Sequence, residues 1–150
     1  MRYRCLLIAV LALVALAASR PAVAIPLFAK VFKQDYLDNN ADKKFAEESG
    51  KPPTSCLFCH QGAKNRKNRN AFGKEVGKLL NKKDNSKPTP ENMAKITEAL
   101  KKVMAMHVDP KDDKSETYLD RVKAGKFPVG TLEELKVEGP ADKDAKEETK

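Results

Sequence analysis

Residues 56–60 read Cys-Leu-Phe-Cys-His, which places two thiols three positions apart and an imidazole directly after the second thiol. The chain of 150 residues has one further cysteine, Cys5, and one further histidine, His107. The side chains best suited to metal or redox chemistry are therefore concentrated in one stretch of five residues. Their use depends on the compartment in which the thiols work and on the structure around them.

The N-terminus has the three-part pattern of a secretory signal peptide. Two arginines precede an apolar run over residues 6–18, and Ala22-Val23-Ala24 follows as a small-residue cleavage site. We expect cleavage after Ala24, because these 13 apolar residues are fewer than the roughly 20 that span a bilayer as a helix. An N-terminal membrane anchor is the alternative. Residues 1–24 are thus predicted to be removed, leaving a periplasmic or secreted protein without a stable membrane span.

Removal of this segment simplifies the composition of the chain. It takes 24 of the 150 residues, including Cys5 and three arginines but no acidic residue, so 126 residues remain and the formal charge falls from +8 to +5. A chain of that length suits one domain of ordinary size. The charges are of mixed sign, so the charged fraction of 33% does not by itself force disorder.

The mature segment is predicted to be all-α, because its apolar residues recur at helical spacing and no stretch alternates with the period of a strand. Phe28, Phe32 and Tyr36 form one helical face, and shorter helices are predicted over residues 41–48 and 70–81. Gly73 lies inside the last of these with a second glycine four positions later. Glycines at that spacing suggest close approach of another body, either a helix or a flat ligand.

Thr89-Pro90-Glu91 is a helix start, with a capping hydroxyl, a proline at the first helical position and then an acid. We expect this helix to run to Asp109-Pro110 and a last helix to begin at a Ser115 cap and end at Gly125. A short apolar segment then precedes residues 138–150, which are charged, lack an apolar period and are predicted to form a disordered tail. The domain itself is predicted to cover residues 25–137.

The C-x-x-C-H pattern is the attachment signature of c-type haem. Two thiols three positions apart can add to the two vinyl groups of one porphyrin, and the adjacent imidazole then reaches the iron from one side. The addition needs reduced thiols and exported haem, which agrees with the predicted signal peptide. We therefore expect one haem c per chain, with thioethers at Cys56 and Cys59 and with His60 as the proximal iron ligand.

Three other kinds of chemistry also use a close pair of cysteines. A disulfide suits an oxidising compartment but would close a very small loop and stabilise little. A thioredoxin-like redox pair belongs in a β-α-β setting, and no strand is predicted. A zinc site would need Cys56, Cys59, His60 and His107, but neighbouring side chains such as Cys59 and His60 diverge, which makes one tetrahedral ion difficult to build.

The chain resembles the small secreted single-haem bacterial cytochromes c, broadly of class I. The resemblance covers roughly residues 26–128 and rests on the haem motif, on Gly62 and on Asn70-Ala71-Phe72-Gly73 about one helix length later. It implies four to five short helices around one covalent haem, thioether bonds at both cysteines, and His60 as proximal ligand. A further set of aromatic and apolar residues is expected along the haem wall, with ordinary core packing as the alternative and both roles compatible: Phe28, Phe32, Phe58, Phe72 and Leu80.

The sixth iron ligand is left open by the sequence. In a helix that begins at Pro90, His107 and Met104 lie on or beside the apolar face, whereas Met106 lies off it and would turn inward only if the helix ended earlier. Relatives of class I usually place a methionine before the last helix, which matches Met104 and Met106. His107 has an alternative role as a capping side chain near a helix C-terminus.

A cluster of eight basic residues follows the haem motif, with one acidic residue among them. We interpret this basic run as a docking surface for an acidic redox partner, while a solvated helix and loop is the alternative. Nucleic-acid binding is not expected, since aromatic residues are not interleaved with the basic ones for stacking. The members of the cluster are Lys64, Arg66, Lys67, Arg69, Lys74, Lys78, Lys82 and Lys83.

The sequence as a whole predicts an extracytoplasmic electron carrier rather than an enzyme, because nothing in it resembles a catalytic triad or a metal-hydrolase motif. A haem-based sensor or binder of small ligands, with an open sixth position, is the alternative. A peroxidase would normally need a second haem motif to supply electrons, and the chain has one.

Overall fold

The computed structural model describes residues 27–62, 68–81, 84 and 87–139. These residues form six α-helices, a π-helical turn and a 3-10 helix, with β-type pairing limited to two isolated bridges among them. The all-α class is therefore confirmed, with six α-helices where four to five were predicted. The elements are α1 (Leu27–Phe32), the π-helical turn (Lys33–Leu37), α2 (Lys43–Ser49), the 3-10 helix (Thr54–Phe58), α3 (Ala71–Leu79), α4 (Pro90–Met104), α5 (Tyr118–Lys123) and α6 (Leu132–Lys136).

The predicted signal peptide over residues 1–24 and residues 140–150 of the predicted tail lie outside the described residues. No helix in the described part of the chain is both long enough and apolar enough to cross a bilayer.

The predicted aromatic face of the first helix is confirmed, and it extends through the π-helical turn. The ring centroids of Phe28 and Phe32 lie 6.0 Å apart, and those of Phe32 and Tyr36 lie 5.4 Å apart. Val31, Phe32 and Leu37 are buried, and this face packs against α4. Aromatic pairs at these distances add to the free energy gained from burial.

Helix starts follow from local capping chemistry. The Thr89 hydroxyl accepts a hydrogen bond from the backbone N–H of Asn92, and Pro90 occupies the first turn of α4, as predicted. Asp42 and Thr131 cap α2 and α6 in the same way, each by accepting from the N–H three positions later. Each cap satisfies an N–H that has no partner within its helix.

The predicted end of α4 at Asp109-Pro110 is wrong, since the helix ends at Met104. The chain beyond it pairs with the segment before α5: the Val108 N–H donates to the Glu116 carbonyl at 2.9 Å, and the Tyr118 N–H donates to the Met106 carbonyl at 3.0 Å. This antiparallel pairing uses backbone groups that a longer helix would have used internally. His107 therefore lies beyond the helix, in a bridge with Thr117.

The predicted cap of α5 at Ser115 is also wrong. Thr117 caps this helix in a capping box with Asp120, in which each side chain bonds the other residue's backbone N–H. The hydrogen bond from Thr117 lowers the pKa of Asp120 below its usual range. The Ser115 hydroxyl instead donates to the Asp112 carbonyl at 2.7 Å. Gly125, with φ of +68°, follows α5 as predicted.

The core is centred on Phe58, a residue of the Cys-Leu-Phe-Cys-His motif. Its ring centroid lies 4.5 Å from that of Phe32, 4.9 Å from that of Phe127 and 6.2 Å from that of Phe45. The motif is thus anchored in the core by its own aromatic residue. The most deeply buried large side chains around it include Phe72, Leu37, Ile96, Leu100 and Met104.

Candidate functional site

The motif occupies the 3-10 helix and the two residues after it. The Cys56 N–H donates to the Pro53 carbonyl at 3.1 Å, and the N–H groups of Cys59 and His60 both donate to the Cys56 carbonyl, at 3.3 and 3.0 Å. Cys59 follows the helix with right-handed dihedral angles. Cys56 thus lies within the 3-10 helix, and Cys59 lies three positions later, directly after its end.

The two thiols are not joined to each other, and both cysteines are half-buried. Burial, with a smaller effect of the nearby Cys56, raises the pKa of the Cys59 thiol to about 12. Cys59 therefore remains a neutral thiol at neutral pH, which slows its reactions because the thiolate is the nucleophile.

The backbone on either side of His60 pairs with a second segment of the chain. His60 forms an antiparallel bridge with Arg69, the Gln61 N–H donates to the Asn68 carbonyl at 2.9 Å, and the Asn70 N–H donates to the Cys59 carbonyl at 3.0 Å. The Nδ1 atom of His60 is buried. The imidazole thus extends from a backbone that is held on both sides.

Asn70 connects the motif to helix α3. Its Oδ1 accepts a hydrogen bond from the Gly73 N–H at 2.9 Å, which caps the helix. Its Nδ2 donates to the carbonyls of Leu57 and Phe58, at 3.1 and 3.0 Å. The side chain is therefore satisfied at both ends although the residue is only 4% exposed.

Gly73 brings the backbone of α3 against the backbone of the motif. A Cβ atom at this position would lie 2.0 Å from the carbonyl oxygen of Cys59 and 2.8 Å from its carbonyl carbon. Any larger residue would have to move one of the two segments. The sequence predicted a close approach here, and the approaching body is the motif itself.

The end of the chain borders the exit of the motif. The Gly62 N–H donates to the Leu135 carbonyl at 2.8 Å, and the Asn68 side chain donates to the Gly139 carbonyl at 2.9 Å. Gly62 has φ of +101°, and a Cβ there would collide with the Glu138 carboxylate. Glu138 and Gly139, the first two residues of the predicted tail, therefore lie against the motif's exit loop.

The three candidate distal ligands lie in different surroundings. Met104 is 1% exposed within the hydrophobic core, whereas Met106 is 38% exposed. His107 is half-buried, and its Nδ1 lies 2.5 Å from the Ser115 carbonyl oxygen. The described residues contain no group of three or more His, Cys, Asp or Glu side chains able to hold a metal ion, so the four-ligand zinc arrangement is not formed.

A cavity of about 420 Å³ opens beside the N-terminal end of the 3-10 helix, where Thr54 forms part of its wall. Phe45, Phe127 and Leu132 supply apolar surface, and Arg121 and Lys126 contribute cationic groups. Cys56, Cys59 and His60 do not line it. The cavity and the thiols therefore lie at different parts of the same short helix.

No family model, curated protein or solved structure matches this chain. Three members of the basic run lie within the described residues. Lys74 and Lys78 are exposed on α3, where Lys78 pairs with Glu75 at 2.7 Å. Arg69 is half-buried. The other five members, Lys64, Arg66, Lys67, Lys82 and Lys83, lie outside the described residues.

Sequence reasoning missed two features of the site. It placed Asn70 as the first residue of the predicted helix and in a family-like pattern but not as the cap, although asparagine is a residue type that caps helices. It also assigned Glu138 and Gly139 to the tail. No local signal indicates that Gly139 bonds to Asn68, which lies 71 positions earlier in the chain.

Gly73→Ala is expected to destabilise the folded chain, even though alanine favours a helix over glycine by up to about 1 kcal/mol. The added methyl group must displace the Cys59 backbone, and overpacking of this kind costs about 1–3 kcal/mol. Urea unfolding followed by circular dichroism measures the free energy of unfolding. Ala94→Gly, at an exposed position in α4, is the control that reports helix propensity alone. Wild-type stability in Gly73→Ala would contradict the close approach.

Proposed function

We propose that this chain is an extracytoplasmic electron-transfer protein that carries one covalently bound haem c. The observation that carries the proposal is the arrangement of the motif: two unlinked thiols three positions apart, one within a 3-10 helix and the other directly after it, followed at once by an imidazole. This donor set fits a porphyrin with two vinyl groups better than it fits a tetrahedral metal ion. The signal-peptide pattern supports export to a compartment where haem c is made.

In this proposal, Cys56 and Cys59 hold the haem through thioethers and His60 is the proximal ligand. Bound haem would supply an iron that takes up and releases one electron. The chain's own contribution is to hold the three donors on a restrained backbone and to surround them with apolar side chains. Phe58 serves the second purpose, because it anchors the motif in a cluster of aromatic rings.

The protein's second contribution is the distal ligand, for which Met104, Met106 and His107 are the candidates. Methionine raises the reduction potential relative to histidine, so the identity of this ligand sets the working range of the carrier. While the contact between His107 Nδ1 and the Ser115 carbonyl persists, ligation by this ring would have to use Nε2.

Covalent haem is expected in the protein exported after expression of the full-length chain, and it should remain with the polypeptide after denaturation. Cys56→Ala and Cys59→Ala should each lose one thioether, and the double variant should lose all covalently bound haem. Intact mass and the optical spectrum of the pyridine complex measure both effects. Cys5→Ala is the matched control, since Cys5 lies in the predicted signal peptide and should not affect haem content. Wild-type protein without haem after co-expression with maturation enzymes would overturn the proposal.

The reduced haem-loaded protein is expected to resist carbon monoxide, because an electron carrier has two strong protein ligands to iron. A sensor with an open sixth position would bind the gas, so a carbon monoxide difference spectrum separates the two functions. In the oxidised protein, the charge-transfer band of methionine ligation then distinguishes Met104 or Met106 from His107. Replacing each candidate in turn by alanine should create carbon monoxide binding in the variant that has lost the ligand.

The proposed partner is a redox protein with an acidic docking surface. If the basic run steers encounter, oxidation of the reduced protein by the anionic acceptor ferricyanide should slow as salt rises, because added ions screen the attraction. Lys74→Glu and Lys78→Glu should also slow it, whereas Lys101→Glu on α4 is the charge-matched control. Stopped-flow absorbance measures the rates. A salt-independent rate, or an equal effect of all three variants, would count against the docking surface.

A further inference from the structure

Three consecutive carbonyl groups of the motif accept hydrogen bonds from the same residue. The Asn70 side chain donates to the carbonyls of Leu57 and Phe58, at 3.1 and 3.0 Å, and its backbone N–H donates to the carbonyl of Cys59 at 3.0 Å. Asn70 is only 4% exposed, so these bonds are shielded from water. The three carbonyls are the last ones before His60.

The chemistry of an amide side chain explains why asparagine suits this position. The carbonyls at the end of a helix lack partners within that helix, and a buried carbonyl without a partner is costly. An amide supplies donors to two of them and still has an oxygen to accept from the Gly73 N–H. Aspartate has a similar shape and also caps helices, but an ionised carboxylate has no hydrogen to donate.

The same contact also fixes the distance between the motif and α3. Because Gly73 has no side chain, the helix approaches so closely that a Cβ would lie 2.0 Å from the Cys59 carbonyl oxygen. The carbonyl groups of residues 57–59 are therefore hydrogen-bonded to Asn70, and the backbone at Cys59 is in direct contact with α3.

We propose that Asn70 is a positioning residue: by holding the carbonyls of residues 57–59, it fixes the directions of the Cys59 thiol and the His60 imidazole. The inference rests on the proposed function for its consequence, namely that Asn70 controls the geometry of the proximal ligand. The positioning itself is a property of the chain and can be measured without haem. Asn70 does not act on the reacting atoms and is not a catalytic residue.

The experiment compares Asn70→Asp and Asn70→Ser with the wild type in the full-length chain. Both substitutions keep a capping oxygen for α3, but aspartate removes the side-chain donors and serine retains one. Thr89→Ala is the matched control, because it removes the cap of α4 and leaves the motif unchanged. The first measurement is the rate at which iodoacetamide alkylates Cys59 in folded, haem-free protein, with Cys56 as the internal reference.

Alkylation of Cys59 is expected to rise about tenfold or more in Asn70→Asp, because two buried hydrogen bonds to the motif are lost and the loss of one already corresponds to about that factor. It should rise less in Asn70→Ser and not at all in Thr89→Ala. In the haem-loaded protein, Asn70→Asp should also shift the midpoint potential and the electron paramagnetic resonance spectrum of the iron. If Asn70 only capped α3, neither the alkylation rate of Cys59 nor the properties of the iron would change, because asparagine, aspartate and serine all cap helices well.

Wild-type alkylation rates in both Asn70 variants would overturn the positioning role. If circular dichroism shows that Asn70→Asp does not fold, Asn70→Ser decides the question by the same criterion. Failure of the proposed function has a different signature, which is wild-type protein without covalent haem. In that case the alkylation rates still decide whether Asn70 holds the cysteines.

Discussion

The hydrogen bonds from Asn70 to the carbonyls of residues 57–59 are the constraint on which the arrangement of the site depends. They place the first turn of α3 against the motif, and the absence of a side chain at Gly73 allows the contact. Helix α3 then packs on α4, and α4 packs on α1. One polar contact therefore links a five-residue motif to the principal helix packing of the molecule.

The structure assigns the motif two physical roles that usually belong to separate residues. Its outer residues carry the thiols and the imidazole, while Phe58 lies in the aromatic core against Phe32 and Phe127. Movement of the motif would therefore disturb the close packing of these rings, and close-packed interiors transmit such strain. A donor set built into the core is held more rigidly than one on an exposed loop.

Elements with local causes were predictable from the sequence. The start of α4 was predicted correctly because its cap and its proline lie within two neighbouring residues, Thr89 and Pro90. The end of α4 was not, because pairing of residues 106–108 with residues 116–118 takes over the backbone there. Ser115 and Thr117 are both acceptable caps, and the reciprocal bond from Asp120 favours Thr117.

The same distinction between local and tertiary causes applies to the residues of the candidate site. The grouping of Cys56, Cys59 and His60 is readable from the sequence, because all three lie within one stretch of five residues. The residues that restrain them come from elsewhere in the chain, and no periodicity or motif connects position 57 with position 70 or position 68 with position 139. Such contacts arise only from the tertiary fold.

The contacts of the C-terminal segment with the motif's exit loop have a consequence for biosynthesis. Gly62 bonds to Leu135, and Asn68 bonds to Gly139 across 71 positions of sequence. Contacts of such long range form late, since the chain must first lose the entropy of closing the loop between them. A chain synthesised from its N-terminus presents the cysteines well before these last residues exist. During that interval the exit loop of the motif lacks its C-terminal partners, so the segment that carries both thiols is not yet held by them.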